Sequence, residues 1–186
     1  LKKNIDKMKC GKIYLNGSFR FLVSDLIMFL EHISGAEPVG VLNDGEFYTK
    51  DVNGVCVGER VIERNPHISQ EEHLILNGVN NDVLEKYCGH LQNVAMVNGD
   101  SISLARLNGA DEDGDRVFVI NDELMKSGIN KELPVVIDIE DKITAMEEAI
   151  TEKNIINCQI RSMVSLVGEI SNYATCYHNK KPKSEE

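Results

Sequence analysis

Asn108-Gly109-Ala110-Asp111-Glu112-Asp113-Gly114-Asp115 constrains this chain more than any other stretch, because it sets three aspartates at strictly alternate positions. As an extended strand the three would share a face, but their Cα atoms would stand about 6.6 Å apart per pair, too far to share one small cation. On a helix, residues two apart point in nearly opposite directions. Only a curled loop brings the oxygens of Asp111, Asp113 and Asp115 together. Gly114 supplies backbone freedom for the curl, and Val117-Phe118-Val119-Ile120 reads as a buried strand that anchors it. An all-oxygen ligand set without Cys or His favours Mg²⁺, Mn²⁺ or Ca²⁺ over Zn²⁺. The plainer alternative is a solvated acidic turn, which N-G and D-G pairs often mark.

A second alternative is a calcium loop of the EF-hand kind, with ligands at Asp111, Asp113, Asp115 and Asp122. The glycine required at its sixth position is Arg116 here, its twelfth position is Asp rather than Glu, and a strand rather than a helix follows. That reading implies a non-enzymatic structural or interaction module. In either loop Arg116 is the cation nearest in sequence, and Glu112 is expected to face solvent.

The 186 residues suffice for one sizeable core with an appended helical piece. With 42% apolar and 27% charged residues, the composition is that of an ordered soluble protein. No window reaches the apolar length of a membrane span, so a cytoplasmic location and no membrane partner are expected. The five cysteines form no C-x-x-C pair and read as reduced thiols. A net charge of −10 argues against autonomous nucleic-acid binding. The missing initiator Met and the polar run ending at Glu186 lead us to expect part of a longer chain.

Along the chain, residues 1 to 9 read as a short helix or lead-in. Residues 11–15 and 19–23 read as a hairpin about Asn16-Gly17. Residues 25–34 read as a helix started by Asp25 and closed by Gly35. Short strands are expected at 39–42, 46–48, 54–57 and 60–63, with turns at Asp44-Gly45 and Asn53-Gly54. That density implies a small barrel. Arg64-Asn65-Pro66 ends it, and a rigid corner after a strand is a good place to hold a guanidinium for a phosphate or ribose. Ser69-Gln70-Glu71-Glu72 resembles a capping box, with a second helical stretch near 81–91. Strands at 93–97, 101–107 and 116–120 would flank the acidic loop. His32, His73 and His90 read as packed or surface histidines. From about Asp141 the apolar residues recur at helical spacing through about Tyr173, as in a helical pair packed on the barrel.

The order of these motifs resembles the two-barrel RNA polymerase superfamily. It is most similar to the eukaryotic-type RNA-dependent RNA polymerases of RNA silencing and their single-chain phage and bacterial relatives. The D-x-D-G-D loop resembles the metal loop of that superfamily, and Arg64-Asn65-Pro66 resembles its R-x-P element, whose Arg contacts the ribose of the incoming nucleotide. Gly40-Val41-Leu42 with Gly45-Glu46-Phe47 is similar to a further segment of the silencing-type enzymes. Multisubunit relatives carry a ribose-selecting Asn at the position of Gly109, where the silencing branch tends to have Gly.

The resemblance implies an α+β fold: a double-psi β-barrel-like catalytic domain with inserted helices over 1–140, carrying the metal loop 108–115. A helical segment over 141–178 and a polar tail over 179–186 follow. It implies nucleotidyl transfer from NTPs to an RNA 3′ end, with Asp111, Asp113 and Asp115 catalytic and holding Mg²⁺, for which Mn²⁺ substitutes. Arg64, Pro66 and Asn108 are the implied substrate contacts. NTPs, the RNA product, a nucleic-acid template and a second barrel missing from this chain are the implied partners. A barrel that has lost catalysis and serves for interaction is a further alternative.

Overall fold

A computed structural model of the chain describes residues 2–9, 12–135, 147–163 and 166–180. Its centre is a closed barrel of six strands, β1 (Gly17–Ser24), β2 (Glu46–Tyr48), β5 (Gly58–Arg64), β6 (Leu74–Gly78), β7 (Val94–Val97) and β8 (Arg116–Ile120). The order around the wall is β1-β7-β2-β6-β5-β8, closing on β1. The pairs β1/β7 and β2/β6 are parallel and the other four are antiparallel. β3 (Lys50–Asp51) and β4 (Gly54–Val55) form a separate two-stranded hairpin turning at Val52-Asn53, so that Gly54 of the expected Asn53-Gly54 turn already pairs with Asp51. The α+β barrel with inserted helices is thus the architecture the chain adopts.

Strand alternation sorts the side chains. Ser18, Arg20 and Leu22 of β1 face inward while Phe19 and Phe21 face out, and Val117 and Val119 of β8 join Leu22, Phe47, Ile62, Leu76 and Ala95 in the barrel core. A second cluster, Leu42, Tyr48, Leu84, Cys88 and Met96, lies under helices α2 (Leu26–Ser34) and α3 (Asp82–Cys88). Asp25, fully buried, caps α2 through Ile27 N–H at 2.9 Å and also accepts from Val41 N–H at 2.6 Å and Leu42 N–H at 2.9 Å. Gly35 closes α2 with φ +79°.

Four local expectations are corrected. Asn16-Gly17 makes no hairpin: Gly17 opens β1 opposite Ile120, where a Cβ would stand 2.7 Å from the Val119 carbonyl oxygen. Glycine is needed there for close approach of a strand, not for a turn. Residues 39–42 are a loop, because their N–H groups go to the Asp25 and Glu31 carboxylates rather than to a ladder. Residues 74–78, between the two helical stretches expected from sequence and assigned to neither, are β6; Leu74, Leu76 and Gly78 are the buried alternate positions. Residues 101–107 hold the helical turn α4 (Ser103–Arg106) in place of a strand. Ser69 precedes only a single 3-10 turn, Gln70–Glu72, and makes no side-chain cap bond.

α1 (Lys2–Lys9) precedes the barrel, α5 (Glu123–Gly128) follows β8, and α6 (Glu152–Met163) and α7 (Val167–Lys180) lie beyond. Ile155, Ile156 and Ile160 of α6 and Val167, Ile170 and Tyr173 of α7 are exposed. Ile143 and Met146, with which the expected helical period begins, fall outside the described residues. Among the described residues no helix is long and apolar enough to cross a membrane.

Candidate metal centre

The acidic loop hangs from the barrel by buried residues at both ends. Leu107 and Ala110 enter the core on one side and Val117 on the other. Between them the backbone turns through left-handed conformations at Asn108 (φ +57°), Gly109 (φ +62°) and Gly114 (φ +126°). Gly109 therefore suits its position for a backbone reason, since an L side chain there would be strained. The loop is tied internally by Asp111 N–H to Asp115 Oδ2 at 3.1 Å and Asp113 N–H to Asp111 Oδ1 at 3.3 Å. Leu22 N–H donates to the Asp115 carbonyl at 2.9 Å, fastening the loop to β1.

This curl brings one carboxylate oxygen from each of Asp111, Asp113 and Asp115 within 4.8 Å of the others, the convergence that neither strand nor helix allows. The electrostatics fit a cation. The adjoining Asp111 carboxylate, more than any other influence, raises the Asp113 pKa above its ordinary value. Burial works against ionisation of Asp115, yet Arg64 and the Asp111 N–H outweigh it and hold that carboxyl below the usual range. The donor set is all oxygen, so a hard divalent ion suits it.

Arg64, at the end of β5, faces the cluster directly. Its Nε lies 2.6 Å from Asp115 Oδ2, a close ion pair not aligned as a hydrogen bond, and its Nη1 donates to the Asn108 carbonyl at 3.2 Å. Sequence distance pointed to Arg116 as the loop's counter-charge. The structure instead turns Arg116 over the rings of Phe19 and Phe21, at 5.2 and 5.4 Å, and gives the counter-charge role to Arg64. Phe19 also stacks on Phe118 at 4.7 Å. Glu112 is exposed, as expected, and accepts from the Ser24 hydroxyl, a partner that no sequence signal marked. Phe19, Asn65, Gly114, Asp115 and Arg116 line a cavity of about 340 Å³ beside the loop. Pro66 follows one residue after Asn65, past the end of β5.

Asp122 does not join the cluster. Its Oδ1 caps α5 by accepting from Met125 N–H at 3.0 Å, and residues 116–120 form a strand. The EF-hand alternative therefore loses its closing ligand. His73 pairs with Glu63 at 3.0 Å.

No protein-family profile matches the sequence, and no curated protein matches it. Nineteen chains of solved structures do match in fold. One is the RNA-dependent RNA polymerase QDE-1 from Thielavia terrestris, with 18% identity and a TM-score of 0.51 over 70% of this chain. The matched region amounts to 15% of that polymerase, so the chain spans a small part of its length. At this identity the likeness is one of fold.

Proposed function

We propose that this chain is the metal-bearing catalytic barrel of an RNA polymerase, which acts in the intact enzyme by nucleotidyl transfer from NTPs to an RNA 3′ end. The observation that carries the reading is the pairing of the three-carboxylate cluster with Arg64 on a closed barrel. The polymerase likeness in fold supports it.

In this reading Asp111, Asp113 and Asp115 hold Mg²⁺, with Mn²⁺ as a substitute. A bound Mg²⁺ supplies Lewis-acid activation of the 3′-hydroxyl and charge neutralisation at the reacting phosphate. The residues of the chain do the positioning. Cation binding at Asp115 competes with the Arg64 ion pair, and the freed guanidinium is then available to the ribose of the incoming nucleotide. In this reading Pro66, two residues past the end of the strand that carries Arg64, and Asn108, whose carbonyl accepts from Arg64, are further substrate contacts. Residues 1–140 form the catalytic unit, with 141–178 as a helical appendage and 179–186 as a polar tail. A second barrel supplies the basic contacts to template and transcript, so the chain alone is inactive.

The test is Asp113→Ala in the full-length enzyme. Incorporation of labelled nucleotide should vanish while the circular dichroism spectrum and melting temperature stay within experimental spread. Retained incorporation would end the proposal.

A further inference from the structure

The barrel has two mouths, and only one holds the acidic loop. Strand alternation places Arg60, Ile62 and Arg64 on one face of β5. Ile62 lies in the core, Arg64 reaches the acidic loop, and Arg60 stands at the opposite end. At that end the start of β1, the end of β8 and the β3/β4 hairpin enclose a cavity of about 550 Å³, lined by Asn16, Arg20, Asp51, Asn53, Arg60 and Asn121 among others.

Arg20 is the decisive residue. It is only 8% exposed. Its Nη1 donates to the Gln92 carbonyl at 2.7 Å and its Nη2 stands 3.7 Å from Asp51 Oδ2, but its buried Nε has no acceptor. A buried guanidinium N–H left without a partner is costly and uncommon in native proteins. Asp51, the one acidic side chain on the cavity wall among the described residues, is already engaged by Arg20 and by Asn53 N–H at 2.7 Å. Two guanidiniums against one carboxylate leave the cavity one charge positive, in a chain whose net charge is −10. Burial pushes the neighbouring Cys56 thiol up, so it adds no negative charge near neutral pH.

We infer that this mouth is an anion site, taking a phosphate dianion, either free or as the 5′-phosphate of a nucleotide, on Arg20 and Arg60. A tetrahedral dianion offers acceptors for the side-chain amides of Asn16 and Asn121 and for the Arg60 guanidinium, whose Nη1 also donates to the Glu59 carbonyl at 2.8 Å, and it reaches the orphaned Arg20 Nε–H once that side chain turns toward the cavity. The cavity exceeds what a lone phosphate fills, which leaves room for an organic substituent. The site is independent of the acidic loop, at the other end of the barrel.

The 186-residue chain, kept metal-free with a chelator at fixed ionic strength, would be titrated with inorganic phosphate and, separately, with adenosine 5′-monophosphate while ¹⁵N NMR follows the shifts. Saturable movement of the Arg20 Nε–H and of the Gly17 and Asn121 amides is expected with at least one ligand. Tighter binding of the monophosphate assigns a nucleotide, and equal binding assigns the free oxyanion. Arg60→Gln should weaken binding about tenfold or more, and Arg20→Lys, which keeps the charge but lacks Nε, should do likewise. Absence of saturable shifts with both ligands overturns the inference. So does unchanged affinity in an Arg60→Gln chain whose spectrum is otherwise native.

Discussion

Replacing Arg64 with methionine should move stability and metal affinity in opposite directions. Arg64 and Asp115 are in contact at 2.6 Å with side chains 20% and 21% exposed. A fully exposed pair contributes about 0–1 kcal/mol, and removing one partner of a fully buried pair costs about 3–5 kcal/mol. The intermediate burial places the loss at about 1–2 kcal/mol, and the Nη1 bond to the Asn108 carbonyl is lost with it. With an m-value of about 2 kcal/mol/M, the urea midpoint of the metal-free chain falls by about 0.5–1 M. Asp115, released from its internal counter-ion, then binds Mn²⁺ or Mg²⁺ more tightly, by a factor of about 5–30 for the same free energy. Isothermal titration calorimetry on chelator-treated protein reads the second effect and urea unfolding the first. In saturating metal the stability deficit should shrink, because a ligand bound to the folded state alone adds stability by mass action. An unchanged or weakened metal affinity in Arg64→Met would refute the idea that Arg64 occupies the cation's place.

Two further outcomes test the scaffold. Asp25→Asn puts an amide N–H against one pair of backbone donors, those of Val41 and Leu42 or those of Ile27 and Met28, and should cost about 2–4 kcal/mol in urea unfolding. A cost within about 0.5 kcal/mol would show that water satisfies those donors. The hydrogen bond that the His73 ring donates to the Glu63 carboxylate raises the pKa of His73 above its ordinary value. That pair's contribution is therefore complete below about pH 6.5 and is lost as pH rises through the raised value. Glu63→Gln should remove this pH dependence, measured as the difference between unfolding free energies at about pH 5.5 and about pH 8.5; an unaltered difference would exclude the pair as its source.

Much of the site was legible because its information is local. Alternate aspartates with an internal glycine can converge only in a curl, and the curl is present with Gly114 at φ +126°. Asp25 and Gly35 bound their helix for reasons that involve a few neighbouring backbone groups. Where the reading failed, the decisive partner was distant. Asn16-Gly17 has the chemistry of a turn, but Gly17 is held extended by β8, a hundred residues away. Residues 39–42 have the composition of a strand and give their N–H groups to carboxylates on another element. Leu74–Gly78 is a short apolar run, equally suited to helix or strand, which β5 and β2 recruit as a wall of the barrel.

By itself, then, the sequence determined the acidic cluster: which carboxylates, on which loop, with which residues free to take left-handed backbone. It also determined that short strands, rather than long helices, build the core. Closure of the barrel decided the rest. It chose Arg64 over the adjacent Arg116 as the counter-charge, turned Arg116 onto Phe19 and Phe21, and set Asp122 to capping a helix. It also buried Arg20 beside Asp51 at the far mouth. These are contacts between residues remote in sequence, and their energies depend on register and shear around a closed sheet, which no local pattern of residues encodes.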